Sequence, residues 1–155
     1  MAITYDLATT GTTGYPAMDK SGVYRIEKKV DWSTLATAPV QTDILQIINI
    51  PANTFVLGVY YSVTTASALL DDLDIGDAVD ADGWADGIDA TSTGAAFSRA
   101  LVLTEGAPNT LVPANGLGKF YAAADTIDLT QNTDATVVDG VIKVVALCMD
   151  CNFTT

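Results

Sequence analysis

The sequence predicts an all-β fold, a jelly roll or related β-sandwich of about eight strands in a single domain. Three observations carry this. Short runs rich in Val, Ile, Leu, Thr and Tyr recur along the chain, several with the two-residue alternation of a half-buried strand. Turn-forming pairs punctuate them at Gly76-Asp77, Asp82-Gly83, Asp86-Gly87, Thr93-Gly94, Glu105-Gly106 and Asn115-Gly116. No window of eleven or more residues carries a helical period. The length of 155 residues suits one domain. A chain of this size buries roughly 68–70% of its unfolded surface, so it needs neither disulfide nor metal to hold a core.

Residues 1–20 are rich in Thr and Gly and read as an arm or irregular lead-in, ended by the turn-prone Tyr15-Pro16. Residues 21–155 form the sandwich domain. Gly22–Val30 alternates: Tyr24, Ile26 and Val30 face one way, Arg25, Glu27 and Lys29 the other, with Lys28 on the apolar side. Asp31 caps a short turn through Trp32–Leu35, and Pro39 stops it. Thr42–Ile50 is a β-branched run bounded by Pro51-Ala52-Asn53, which argues for a hairpin or a sheet-crossing corner. In Thr54–Thr65, strict alternation puts Phe55, Leu57, Val59, Tyr61 and Val63 on one face and Val56, Gly58 and Tyr60 on the other. Both faces are apolar, so this strand is expected to be central. Leu69–Ile75, Gly87–Ala90, Ala95–Leu103, Gly118–Ala122, Thr126–Thr130 and Val138–Met149 complete the strands. Thr65–Leu70 and Tyr121–Asp125 each have room for one helical turn.

One echo recurs. Ile50-Pro51-Ala52-Asn53 returns as Val112-Pro113-Ala114-Asn115. Paired aromatics follow each copy, then the strands Asp72-Leu73-Asp74-Ile75 and Thr126-Ile127-Asp128-Leu129. Two related Greek-key halves would produce this, as would repeated turn chemistry.

Charge and composition exclude much. Nineteen acids against seven bases give a net charge of −12, which repels phosphate backbones and anionic membrane surfaces. No nucleic acid and no membrane are expected as partners. There is no histidine, which removes histidine-based triads, dyads, metal sites and pH switches. The N-terminus lacks the basic and apolar regions of a signal peptide, and no apolar run is long enough to span a bilayer. With only Cys148 and Cys151, no disulfide scaffold is implied, and synthesis in a reducing cytoplasm is expected.

The candidate sites are few. Cys148 and Cys151 form a lone CxxC at a strand end, where the thiols point to opposite faces; this reads as a buried Cys148 beside an incidental Cys151, with an oligomer-bridged metal or disulfide as the alternative. Eight aspartates and no base fill Asp71 through Asp89. Asp80, Asp82, Asp86 and Asp89 are weak candidates for ligands to a hard cation, although Asx turns explain the same composition and an EF-hand register fails at Ala78. No metal, cofactor or catalytic residue is assigned, and the chain is not expected to be an enzyme. Four of the seven bases, Lys20, Arg25, Lys28 and Lys29, fall within ten residues and make a basic edge. Tyr60, Tyr61, Phe120 and Tyr121 are candidates for core, interface or sugar platform.

The stretches TDILQIINIPANTFVLGVYYSVTTAS, LDDLDIGDAVDADGWADGIDA, KFYAAADTIDLT and VIKVVALCMD resemble small structural proteins of tailed bacteriophages. The likeness spans residues 22–150. It implies a virion protein that decorates or cements the capsid. Its partners would be the major capsid protein or another virion protein, and itself as a homo-oligomer, with a trimer favoured by the local threefold symmetry of shells. The residues alone leave open a carbohydrate-binding sandwich, or a neck, tail or fibre component. If the chain docks on a shell, the basic edge is the expected contact, with Arg25 its leading residue.

Overall fold

The computed structural model describes residues 4–6, 22–96 and 118–151. They form ten strands: β1 (Thr4–Asp6), β2 (Val23–Asp31), β3 (Ile44–Ile50), β4 (Thr54–Thr65), β5 (Leu73–Gly76), β6 (Ala85–Ile88), β7 (Gly94–Ala96), β8 (Lys119–Tyr121), β9 (Asp125–Gln131) and β10 (Val141–Asp150). Leaving aside the three-residue β1 and β8, eight strands make two four-stranded antiparallel sheets, β2-β10-β4-β7 and β3-β9-β5-β6. The chain crosses between the sheets at nearly every connection, and only β5 and β6 are joined as a hairpin within one sheet. This strand order is that of a jelly roll. β1, within the stretch read as a lead-in, lies parallel to β3, and β8 pairs with β4 beyond β7.

Apolar strand faces close on each other to make the core. Val56, Val59, Ile142, Val144, Ala146 and Cys148 come from the first sheet, and Leu45, Ile48, Ile50, Ile75, Ile127 and Leu129 from the second. Trp32 and Trp84 are also fully buried. Asp31 caps the 3-10 turn Trp32–Thr34 by accepting from the Ser33 amide and hydroxyl. That turn ends at Leu35, four residues before the proline expected to stop it. It places the Trp32 indole N–H 3.4 Å from Gln131 Oε1, and Gln131 in turn donates to the Pro39 and Ala135 carbonyls. A buried polar side chain thus has its bonding capacity met.

Strict alternation fails in β4. Val56 pairs with Cys148 and Gly58 with Leu147, so Leu57 is an extra, bulged residue. A bulge shifts the facing of everything beyond it. Val56, Val59, Tyr61 and Val63 therefore share the core side, opposite the inward residues Cys148, Ala146, Val144 and Ile142, while Phe55, Gly58, Tyr60 and Ser62 face outward. A second irregularity at Ile47 lets both Ile47 and Ile48 be buried. The Pro51-Ala52-Asn53 segment is a sheet-crossing corner, with Asn53 at φ 58°. Its echo at 112–115 lies outside the described residues, but the two strands that follow the copies are neighbours. β5 and β9 pair so that Ile75 meets Leu129 and Gly76 meets Asp128. The expected strand Leu69–Ile75 begins only at Leu73, because Leu70 is drawn into a turn by its amide bond to the Ser67 carbonyl. No helical turn forms over Tyr121–Asp125: Tyr121 ends β8 and Asp125 opens β9.

Candidate interaction surfaces

The outward side of the β2-β10-β4 sheet is organised in cross-strand rows. At one end stand Val23, Met149, Phe55 and Phe120, one from each of four adjacent strands. Next come Arg25, Leu147 and Gly58, then Glu27, Val145 and Tyr60, and then Lys29, Lys143 and Ser62. The face grades from apolar to basic along the strands. Val23 and Phe120 are 56% and 50% exposed, so the apolar row is open to solvent among the described residues. The Tyr60 ring lies over Gly58, where an added Cβ would stand 3.6 Å from the phenol oxygen. Glu27 ties the basic rows together, 3.0 Å from Lys143 and 3.7 Å from Arg25. The Lys143 hydrogen bond is the main reason its carboxyl sits below the usual range.

Of the basic group, β2 places Arg25 and Lys29 outward and Lys28 on the opposite, half-buried side. Lys20 lies outside the described residues. Each aromatic pair is split by strand alternation. Tyr61 packs against the core and Tyr121 is buried, while Tyr60 and Phe120 face outward.

The outward side of the second sheet is built differently. Loop 77–83 folds back over it, so closely that a Cβ on Gly76 would stand 2.1 Å from the Asp80 carbonyl oxygen. Asp77 anchors the loop. Its side chain is fully buried; Oδ2 accepts from Lys119 Nζ and the Tyr121 hydroxyl, each at 2.6 Å, and Oδ1 accepts from the amides of Val79 and Asp80. Burial alone would raise its pKa, but these bonds hold it below the ordinary value. The Trp84 indole donates to the Tyr121 hydroxyl, and Lys119 stands 5.1 Å over the Tyr121 ring. Charge composition flagged the aspartates of this segment but not that Asp77 would fix the loop to β8.

Two further carboxylates sit on this side. Asp74 accepts from the Gly87 amide and the Asn132 side-chain amide, yet burial raises its pKa. Asp128, 5% exposed, is pushed up to about 6, first by burial and then by the nearby Asp125 and Asp77, against a lowering bond to Thr126. Its Oδ1 has no hydrogen-bond partner among the described residues.

The weak cation candidates are not gathered into one site. Asp80 and Asp82 hydrogen-bond to each other, which raises the Asp80 pKa, while Asp89 is engaged by the Thr91 amide and hydroxyl. Among the described residues no three Asp, Glu or Cys side chains are placed to hold a metal ion. Cys148 is buried, its thiol pushed up to about 12 by burial, and Cys151 is half-buried; both are free thiols.

No family model and no curated protein matches the sequence. Among solved structures, the chain is similar to one titled the capsid of Ralstonia phage GP4. The two superpose with a TM-score of 0.62 at 17% identity, over 94% of this chain and 97% of the other. At that identity the likeness establishes a shared fold, over nearly the whole of both chains.

Proposed function

We propose that this chain is a structural protein of a tailed-phage virion that decorates or cements the head and has no catalytic role. The observation that carries the reading is the near-complete overlap with a chain from a phage capsid. The surface supports it. One side of the sandwich is partly covered by its own loop over Gly76, while the other presents an apolar row grading into a basic one. The outward Arg25 and Lys29 are the groups we assign to an acidic shell surface, Lys28 being half-buried on the opposite side. Exposed pairs contribute only about 0–1 kcal/mol each, so several must act together.

The test is the purified particle. The reading expects the chain on heads, at a copy number matching the symmetry positions of the shell. It also expects the isolated protein to bind undecorated capsids with an affinity that falls as salt rises. Absence from particles, together with saturable binding on a glycan array, would overturn it in favour of a carbohydrate-binding module.

A further inference from the structure

We infer that β2 is a self-complementary edge through which two copies of this chain join, β2 against β2, into one continuous antiparallel sheet about a two-fold axis at Lys28. Among the described residues β2 pairs on one side only, with β10, and it is nine residues long. A long edge strand presents a row of backbone donors and acceptors that templates another strand. Native edges are commonly guarded by charged side chains, lysine above all, and by inward-pointing charges, of which β2 carries one at Lys28.

The outward face of β2 also carries charges of both signs. Its outward positions read Arg25, Glu27, Lys29, Asp31, alternating positive and negative at every second residue. Antiparallel pairing about Lys28 puts Arg25 opposite Asp31 and Glu27 opposite Lys29, and each pair occurs twice. All four cross-strand pairs on that face are then of opposite charge, the arrangement that favours pairing. On the inward face the same register sets Ile26 against Val30, one half-buried and one fully buried in the single copy. The mismatch is Lys28, which meets its own copy at the axis. Its long stem lets the two ammonium groups part toward solvent. An isologous contact of this kind closes on itself, so it gives a dimer and no open fibre. It replaces the threefold association suggested by the phage resemblance with a two-fold one.

Sedimentation velocity on the full chain tests this. The wild type should form a dimer that weakens as salt rises. Glu27→Lys alone, or Lys29→Glu alone, turns two attractive pairs into repulsive ones, and each should weaken self-association roughly tenfold to thirtyfold. The two substitutions together restore opposite charges and should restore the dimer. Lys28→Cys should link to its own copy on oxidation, with the wild type as control for Cys151. A wild type monomeric at every soluble concentration would overturn the inference, as would single variants that associate like the wild type. Linkage by Ile26→Cys but not by Lys28→Cys would overturn the register. The inference uses Arg25 and Lys29, as the proposed shell contact does, but the outcomes separate: a monomer found on heads sinks only this, and a dimer absent from heads sinks only that.

Discussion

The two outward sides of this sandwich are made by the same strand periodicity and end in opposite conditions. On the β2-β10-β4 side, the outward residues other than Gly58 are at least partly exposed, and the rows run from Val23-Met149-Phe55-Phe120 to Lys29-Lys143 with no element of the described chain laid across their centre. On the β3-β9-β5 side, the outward Asp74 and Asp128 are buried: loop 77–83 returns over Gly76, the register partner of Asp128, and Gly87 and Asn132 close on Asp74. Exposed charges need no internal partner, whereas a carboxylate taken out of water must be bonded or it destabilises the fold. Asp77 meets that condition with four donors; Asp128 is bonded to Thr126, but its Oδ1 has no partner among the described residues. The covered side therefore holds the buried carboxylates whose titration bears on stability, and the open side is the one we propose for contacts.

The sharpest way to break this contrast is to uncover the covered side. Gly76→Ala puts a methyl group into the backbone of Asp80 and Ala81, which has no flexible end to yield. We expect a loss of about 3 kcal/mol or more, read as a lower denaturant midpoint. Asp77→Ala removes the anchor and leaves Lys119, Tyr121 and two loop amides without their acceptor. The expected loss is about 2–4 kcal/mol, with faster hydrogen exchange confined to the loop. Uniform exchange across both sheets would show that the loop is not a separate cover.

The pH dependence sharpens the contrast, because the two aspartates pull in opposite directions. The folded Asp128 carboxyl titrates near 6, well above the ordinary unfolded value of about 3.9. The folded state holds the proton more tightly, so stability is greatest below that unfolded value and is lost as pH rises through about 6. Asp74 is raised by burial and acts the same way. Asp77 is lowered, so its contribution is present at neutral pH and falls away only as pH drops below its unfolded value. Stability measured by chemical denaturation should therefore rise from pH 7 to about 5 and fall again below about 4. Asp128→Asn should stabilise the protein by about 1–3 kcal/mol at pH 7 and by little at pH 4, flattening the rise. A neutral or destabilising effect at pH 7 would mean that Oδ1 is partnered in solution.

How much of this was legible follows the periodicity. Strand runs and turn pairs located β4 to the residue and the jelly-roll class as a whole, because alternation and β-branching are local signals. The Asp31 cap was legible for the same reason. The facing of β4 beyond Leu57 was not, since a bulge is set by the partner strand and leaves no local mark in an already apolar run. The buried role of Asp77 was also hidden. Nothing within its own loop points to Lys119 and Tyr121, which lie more than forty positions away and meet it only when β8 joins β4. The basic edge was visible as composition, but its alternation with Glu27 and Asp31 gained meaning only when β2 was seen to pair on one side alone among the described residues. The self-pairing of the echo strands β5 and β9 likewise needed the sheet order.

The smallest expected effect lies on the open side. Arg25→Glu combined with Lys29→Glu reverses two charges on the most exposed rows of the molecule, yet its folding stability should change by less than about 0.5 kcal/mol. Arg25 is 70% exposed at its side chain and holds Glu27 at only 3.7 Å, so little is lost there. A glutamate at that position adds one like-charge neighbour, while Glu27 keeps its closer partner Lys143 at 3.0 Å. Lys29 stands directly across from Lys143, and replacing it with glutamate converts a like-charge pair into an attractive one. The two changes offset each other. Denaturation should be measured where the chain is monomeric, so that association does not enter the stability. Binding of the same variant to undecorated capsids should fall steeply and lose its salt dependence. A stability loss above about 1 kcal/mol would show that these rows brace the sheet as well as present it, and the division between a covered side for stability and an open side for contact would not hold.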